Sequence, residues 1–186
     1  MDISADHTSS NHSDGGVVGV TYGDIGTTRL RCVLTSLVDK NEYVQIPHES
    51  CGMVLGRVDE IERKTDLSLE KAQEMCEGAS VDVAEKINVK VHVIGYRDDR
   101  QLLQVPHTPF KAGELVYRAE DKLVKEVLGL DEDEKKGAYV GMLPGRDIRV
   151  LLDINHMVQK HTSVLAKTGG GKSYLAGAII EELLKH

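Results

Sequence analysis

From Gly16 onward the apolar residues come in short runs and period-two alternations, the pattern of β-strands. Residues 17–20 and 29–34 are two such runs, parted by a turn-rich stretch at 23–26. Residues 43–46 form a third, ending at Pro47, and residues 53–58 a fourth. Between 87 and 96, Ile87, Val89, Val91 and Val93 share one face, and Asn88, Lys90 and His92 the other. Short strands this close together, with turn signals between them, predict a small barrel or sandwich. Two helices interrupt it. In residues 68–76, Leu69, Ala72, Gln73 and Cys76 recur at helical spacing. In residues 119–128, Leu123, Val124, Val127 and Leu128 form one stripe, with Glu120 and Asp121 in the first turn and Gly129 behind.

Near residue 150 the texture changes. Residues 149–152 read as a strand and 154–158 as a short helical turn. Residues 162–166 are a near-continuous apolar run, which predicts a strand buried on both faces of a parallel sheet. The following segment carries Leu175, Ala176, Ala178, Ile179, Ile180, Leu183 and Leu184, apolar around more than half of a helix. The expected organisation is a mobile polar tail over 1–15, a β-barrel domain with helical insertions over 16–145, and the start of a second domain over 146–186. Residues 131–136 read as a solvated charged connector.

Composition narrows the function classes. With one Phe, six Tyr and no Trp, the core falls to Val, Leu and Ile, which suit sheets. The net charge of −7 excludes a chain that grips nucleic acid over its whole surface, so any DNA contact is local or lies elsewhere. Cys32, Cys51 and Cys76 lack metal-ligand spacing and are odd in number, so they read as buried or half-buried thiols. No basic region followed by an apolar run opens the chain, and no stretch approaches a membrane span. A cytoplasmic protein is expected.

The motif with chemistry is Ala166-Lys167-Thr168-Gly169-Gly170-Gly171-Lys172-Ser173. Glycines let backbone N–H groups converge on a phosphate without a side chain in the way, and a following helix adds its unpaired N–H groups and dipole. Gly169, Gly170 and Gly171 supply that approach. Lys172 is placed for the β- and γ-phosphates of ATP, Ser173 for Mg²⁺, and Thr168 for shaping the loop. Ala166 stands where the strict P-loop pattern has Gly. Hydrolysis needs a further strand ending in an acid that holds Mg²⁺. No such strand follows before His186, so no catalytic residue is assigned, and the chain alone is expected to bind phosphate without hydrolysing ATP. The strand at 162–166 is likewise expected to lack sheet partners. Residues 160–186 would then be mobile, pack on the barrel or drive self-association.

With these stretches laid out, the sequence resembles the archaeal HerA family of hexameric DNA translocases, within the HerA–FtsK branch of P-loop ATPases. Residues 159–169, with 140–143 and 149–153, look like that family's lead into its Walker A loop. Residues 106–113, Pro-His-Thr-Pro-Phe-Lys-Ala-Gly, resemble the proline-bearing turn of its N-terminal barrel. The resemblance implies a barrel of the ATP-synthase crown type, followed by the opening strand, P-loop and helix of a RecA-like α/β ATPase domain. It also implies ring assembly, a NurA-like nuclease docked on the barrel, and double-stranded DNA pumped by the ATPase core during end resection. The Walker B acid, the sensor and the trans-acting arginine have no matching positions here.

Two other readings compete. The chain could be an oligomerisation and nuclease-docking barrel without ATPase activity, with loops 47–52 or 106–113 as the docking surface. It could also be an ATP-synthase-like barrel subunit of another ring ATPase, which the lead-in around Lys160-His161 disfavours. Elsewhere, His161 reads as a cap or packing residue, Asp98-Asp99-Arg100 as a hairpin tip, and Tyr96 and Tyr117 as core-edge packing.

Overall fold

The computed structural model describes residues 15–130, 137–159 and 161–185. The expected tail, all but Gly15, and the connector at 131–136 lie outside them. Seven strands precede residue 119: β1 (Val17–Ile25), β2 (Arg29–Leu34), β3 (Tyr43–His48), β4 (Gly52–Thr65), β5 (Glu85–Arg97), β6 (Leu103–Gln104) and β7 (Leu115–Arg118). All pairings are antiparallel, in the order β2-β1-β7-β3-β4-β5-β6, and β2 also pairs with β5. Six strands therefore close into a barrel, which removes the open edges an isolated sheet would expose. The mainly β architecture is as the alternation of apolar residues predicts, and of the two forms it allows, barrel or sandwich, the sheet takes the barrel.

Val18, Leu30, Cys32, Val44, Ile46, Val54, Val58, Val89, Val91, Val93 and Val116 fill the barrel, and Phe110 joins them from the loop after β6. Closure brings backbones together where a side chain will not fit. A Cβ on Gly19 would collide with the Val33 carbonyl on β2. Val17 lies opposite Tyr117 in the β1–β7 pair, so the barrel's first and last strands are neighbours.

Two strands run further than their composition suggests. β3 continues through Pro47 to His48, past the stop that the proline predicts. Of β3, only Val44 and Gln45 pair with β7, and the Tyr43 carbonyl faces that same side. The nitrogen of Pro47 therefore faces a side with no partner strand, where a missing N–H costs no ladder bond. β4 extends to Thr65 as a charged ribbon paired with β5, held by Arg63–Glu85 at 3.1 Å and Lys90–Glu62 at 3.3 Å. Beyond it lies α1 (Leu69–Cys76), N-capped by Ser68, whose Oγ accepts from the Lys71 N–H; none of its residues is buried.

That placement corrects one expectation about the cysteines. Cys32 is buried and Cys51 half-buried, but Cys76 is exposed at the end of α1, a helix that buries none of its residues. Burial also pushes the Cys32 thiol up to about 12, so at pH 8 it stays protonated and unreactive. Ellman's reagent is expected to titrate Cys76 at once in the native protein and Cys32 only after denaturation. Equal native rates for the two would contradict this fold.

A second core lies outside the barrel wall. Helix α2 (Asp121–Leu128) ends at Gly129, whose φ of 65° suits the left-handed cap. An antiparallel hairpin follows, β8 (Gly137–Met142) and β9 (Arg149–Asp153). Leu55 from the barrel wall, Ala119, Val124 and Val127 from the α2 segment, and Leu143 and Ile148 from the hairpin turn share this core. The expected 145/146 division falls inside that turn. α3 (Ile154–Gln159) and α4 (Lys172–Leu183) complete the described elements, and α4 packs on β8, where the Tyr139 N–H donates to Glu182 Oε2 at 3.2 Å.

The strand expected at 162–166 is not formed. Residues 161–167 have no regular secondary structure, and Leu165 is 92 % exposed. A strand exists only through ladder bonds to a neighbour, and no described strand lies beside this run. Among the described residues no helix is long and apolar enough to cross a membrane.

Candidate phosphate-binding loop

Residues 168–173 form one compact turn into α4. The Gly170 N–H donates to the Lys167 carbonyl at 2.9 Å, closing it. Gly169 and Gly171 have φ of 79° and 77°, a conformation that a Cβ strains, whereas at Gly170 a Cβ would crowd the Lys167 carbonyl at 2.9 Å. The three glycines are thus required for two different reasons. Gly171 is the N-cap of α4 and offers no side chain to the first turn; its carbonyl accepts from the Leu175 N–H at 2.9 Å. No side chain caps the first N–H groups of the helix, where the positive end of its dipole lies.

All six expected residues, Thr168 to Ser173, are contiguous and exposed here. Lys172 opens α4, with no ion pair or hydrogen bond among the described residues. Among the described residues, no group of three or more His, Cys, Asp or Glu side chains could hold a metal ion. A single Ser173 hydroxyl fits Mg²⁺ only as one of six oxygen ligands, the rest coming from phosphates and water. His161 is exposed in the unpaired run before the loop.

The other flagged residues serve the fold. Asp98 accepts from the N–H groups of Leu102 and Arg100, which hold its carboxyl below the usual range and close the β5–β6 turn as a hairpin tip. Tyr96 packs half-buried on the barrel core. The two candidate docking loops lie against each other at one end of the barrel. His48 Nε2 donates to the Thr108 carbonyl at 3.0 Å, Phe110 meets His48 edge-on at 4.9 Å, and Lys111 pairs with Glu49. Thr21 Oγ1 ties the same loop down, donating to the Lys111 carbonyl at 2.8 Å and accepting from the Glu114 N–H at 2.9 Å.

Sequence reasoning passed over Arg146, in the hairpin turn. Its side chain is 9 % exposed, and Nη2 donates to the Ala119 carbonyl at 2.6 Å while Nη1 pairs with Asp121. The Pro144-Gly145 dipeptide between two apolar runs is the signal that marks this turn.

Comparison with known proteins places these elements. Residues 138–186, from β8 through α4, match the family described as the central domain of helicase HerA. A probable helicase of Methanocaldococcus jannaschii is 30 % identical over 177 residues, covering 91 % of this chain and 33 % of the relative. The DNA double-strand break repair helicase HerA of Pyrococcus furiosus is 28 % identical over 181 residues, covering 90 % of this chain and 31 % of the relative. A probable DNA double-strand break repair helicase HerA of M. jannaschii is 35 % identical over 102 residues, covering 54 % of this chain and 19 % of the relative. The chain thus spans about one third or less of the length of these relatives. A barrel followed by a segment matching the HerA central domain is thus what this chain has in common with HerA-named helicases.

Proposed function

We propose that this chain is the barrel and phosphate-loop portion of an ATP-driven, ring-forming translocase of double-stranded DNA that works with a NurA-like nuclease in end resection. One observation carries the reading. A turn with two left-handed glycines feeds an uncapped helix N-terminus inside the stretch matched to the HerA central domain. In this reading the N–H groups of residues 169–173 receive the β-phosphate of ATP, the Lys172 ammonium neutralises β- and γ-oxygens, and the Ser173 hydroxyl is one ligand of Mg²⁺. Thr168 shapes the loop. Residues 162–166 become a strand once a neighbouring strand offers its ladder. In this reading the motor portion covers residues 146–186, and the β8–β9 hairpin that leads into it belongs to the matched stretch 138–186. A protein carrying this chain together with the remaining HerA-type sequence is expected to hydrolyse ATP faster when double-stranded DNA is added. ATP turnover indifferent to DNA would overturn the translocase reading.

The second reading, a docking and assembly barrel, is favoured by the joined loops 47–52 and 106–113, which make one built surface from two distant segments. Co-elution of the whole chain with a candidate nuclease tests it, and no association at micromolar concentrations would count against it.

A further inference from the structure

We propose that Arg146 is a positioning residue through which the barrel sets the orientation of α4, and with it the N–H groups of the phosphate loop. The consequence for phosphate rests on the reading above, but the mechanical link does not. Arg146 reaches two places, the segment leading from β7 into α2 and strand β3 of the barrel. Its guanidinium donates to the Ala119 carbonyl between β7 and α2 at 2.6 Å and pairs with Asp121 in the first turn of α2. It also makes a longer contact of 3.5 Å to the Tyr43 carbonyl on β3 and lies 5.9 Å from the centre of the Tyr43 ring. Only a planar fork with several donors meets such a set at once, so lysine is not an equivalent residue here.

The turn bearing Arg146 is itself rigid. The Leu143 N–H donates to the Ile148 carbonyl at 2.8 Å, and the Arg146 N–H to the Leu143 carbonyl at 3.1 Å. Leu143 and Ile148 sink into the second core beside Leu55 and Val124. At the far end of the same hairpin, Tyr139 on β8 holds Glu182 of α4 at 3.2 Å. The run 161–167, exposed except at Val164, offers no regular structure to fix the loop from its other side. Barrel, Arg146, β8 and Glu182 therefore form one mechanical train that meets α4 in its last turn, and the helix carries that anchor along its length to the loop's N–H groups at its first turn.

Hydrogen exchange on the whole chain, read peptide by peptide, tests this with Arg146→Ala, Arg146→Lys, Asp121→Asn and Glu182→Ala. In Arg146→Ala, exchange in β8 and α4 is expected to rise together by roughly tenfold to a hundredfold, while β4 and β5 keep their protection. Arg146→Lys and Asp121→Asn should give smaller rises in the same two segments, keeping the test open if the alanine variant misfolds. Glu182→Ala should loosen α4 and leave the hairpin turn unchanged. Unchanged α4 exchange in the Arg146 variants would overturn the proposal, as would an equal rise throughout the barrel. A chain that keeps this coupling but shows no Mg-ATP binding would instead count against the phosphate-loop reading.

Discussion

Lys172→Ala, in a protein carrying this chain with the remaining HerA-type sequence, should lower DNA-stimulated ATP turnover on the order of a hundredfold or more. Its thermal unfolding should not change. Both halves follow from the placement of the side chain. Lys172 stands at the first position of α4, exposed, with no described partner whose loss would cost stability. Alanine is also at least as good a helix former, and it leaves the glycine turn intact. What disappears is the ammonium that the proposed function sets against the β- and γ-phosphates, whose value would grow as negative charge builds on a transferred phosphoryl group. Steady-state kinetics and a melting curve on the same preparation settle it. A variant that keeps a tenth of the activity, or one that loses activity only because it unfolds, would remove Lys172 from the chemistry.

Leu55→Ala should have the largest effect on stability, about 2–5 kcal/mol. Leu55 is fully buried, and it belongs to the second core although its neighbour Val54 points into the barrel. One strand of the wall therefore serves both cores. Removing Leu55 opens a cavity where the barrel, α2 and the hairpin meet, and a closed sheet is poorly able to collapse around it. Against a total of about 5–15 kcal/mol, the loss should lower the melting midpoint on the order of 10 °C. Denaturation followed by circular dichroism measures it; a change under 2 °C (about 0.5–1 kcal/mol) would mean that α2 and the hairpin do not share a core with the barrel.

How much of this fold is legible in the residues depends on how local each cause is. β2 lies over 29–34 as its pattern predicts, and α2 stops at Gly129, because alternation and a left-handed cap are decided within a few residues. The glycine turn into α4 is legible for the same reason, since three glycines before Lys-Ser act on their own backbone. β8 is not legible: it contains Gly137 and Gly141, poor strand formers, and owes its conformation to β9. The outer half of β4 is mostly charged and is a strand because β5 runs beside it. The apolar run 162–166 shows the converse. Its composition favours a strand, but the ladder that would make it one must come from another segment. Arg146 is the least visible of all, since its partners lie 25, 27 and 103 residues away.

The pairing of Val17 with Tyr117 gives the barrel a property of modular architecture. The chain enters and leaves through one doorway, so the barrel behaves as a cassette with adjoining ends. Such a cassette can be gained, lost or exchanged ahead of another unit without rerouting the polypeptide. What does not travel freely is the seam around Leu55 and Ile148, which must be recut to match each new neighbour. Sequence drift in this lineage should therefore be read at the seam, where the two sides are obliged to change together.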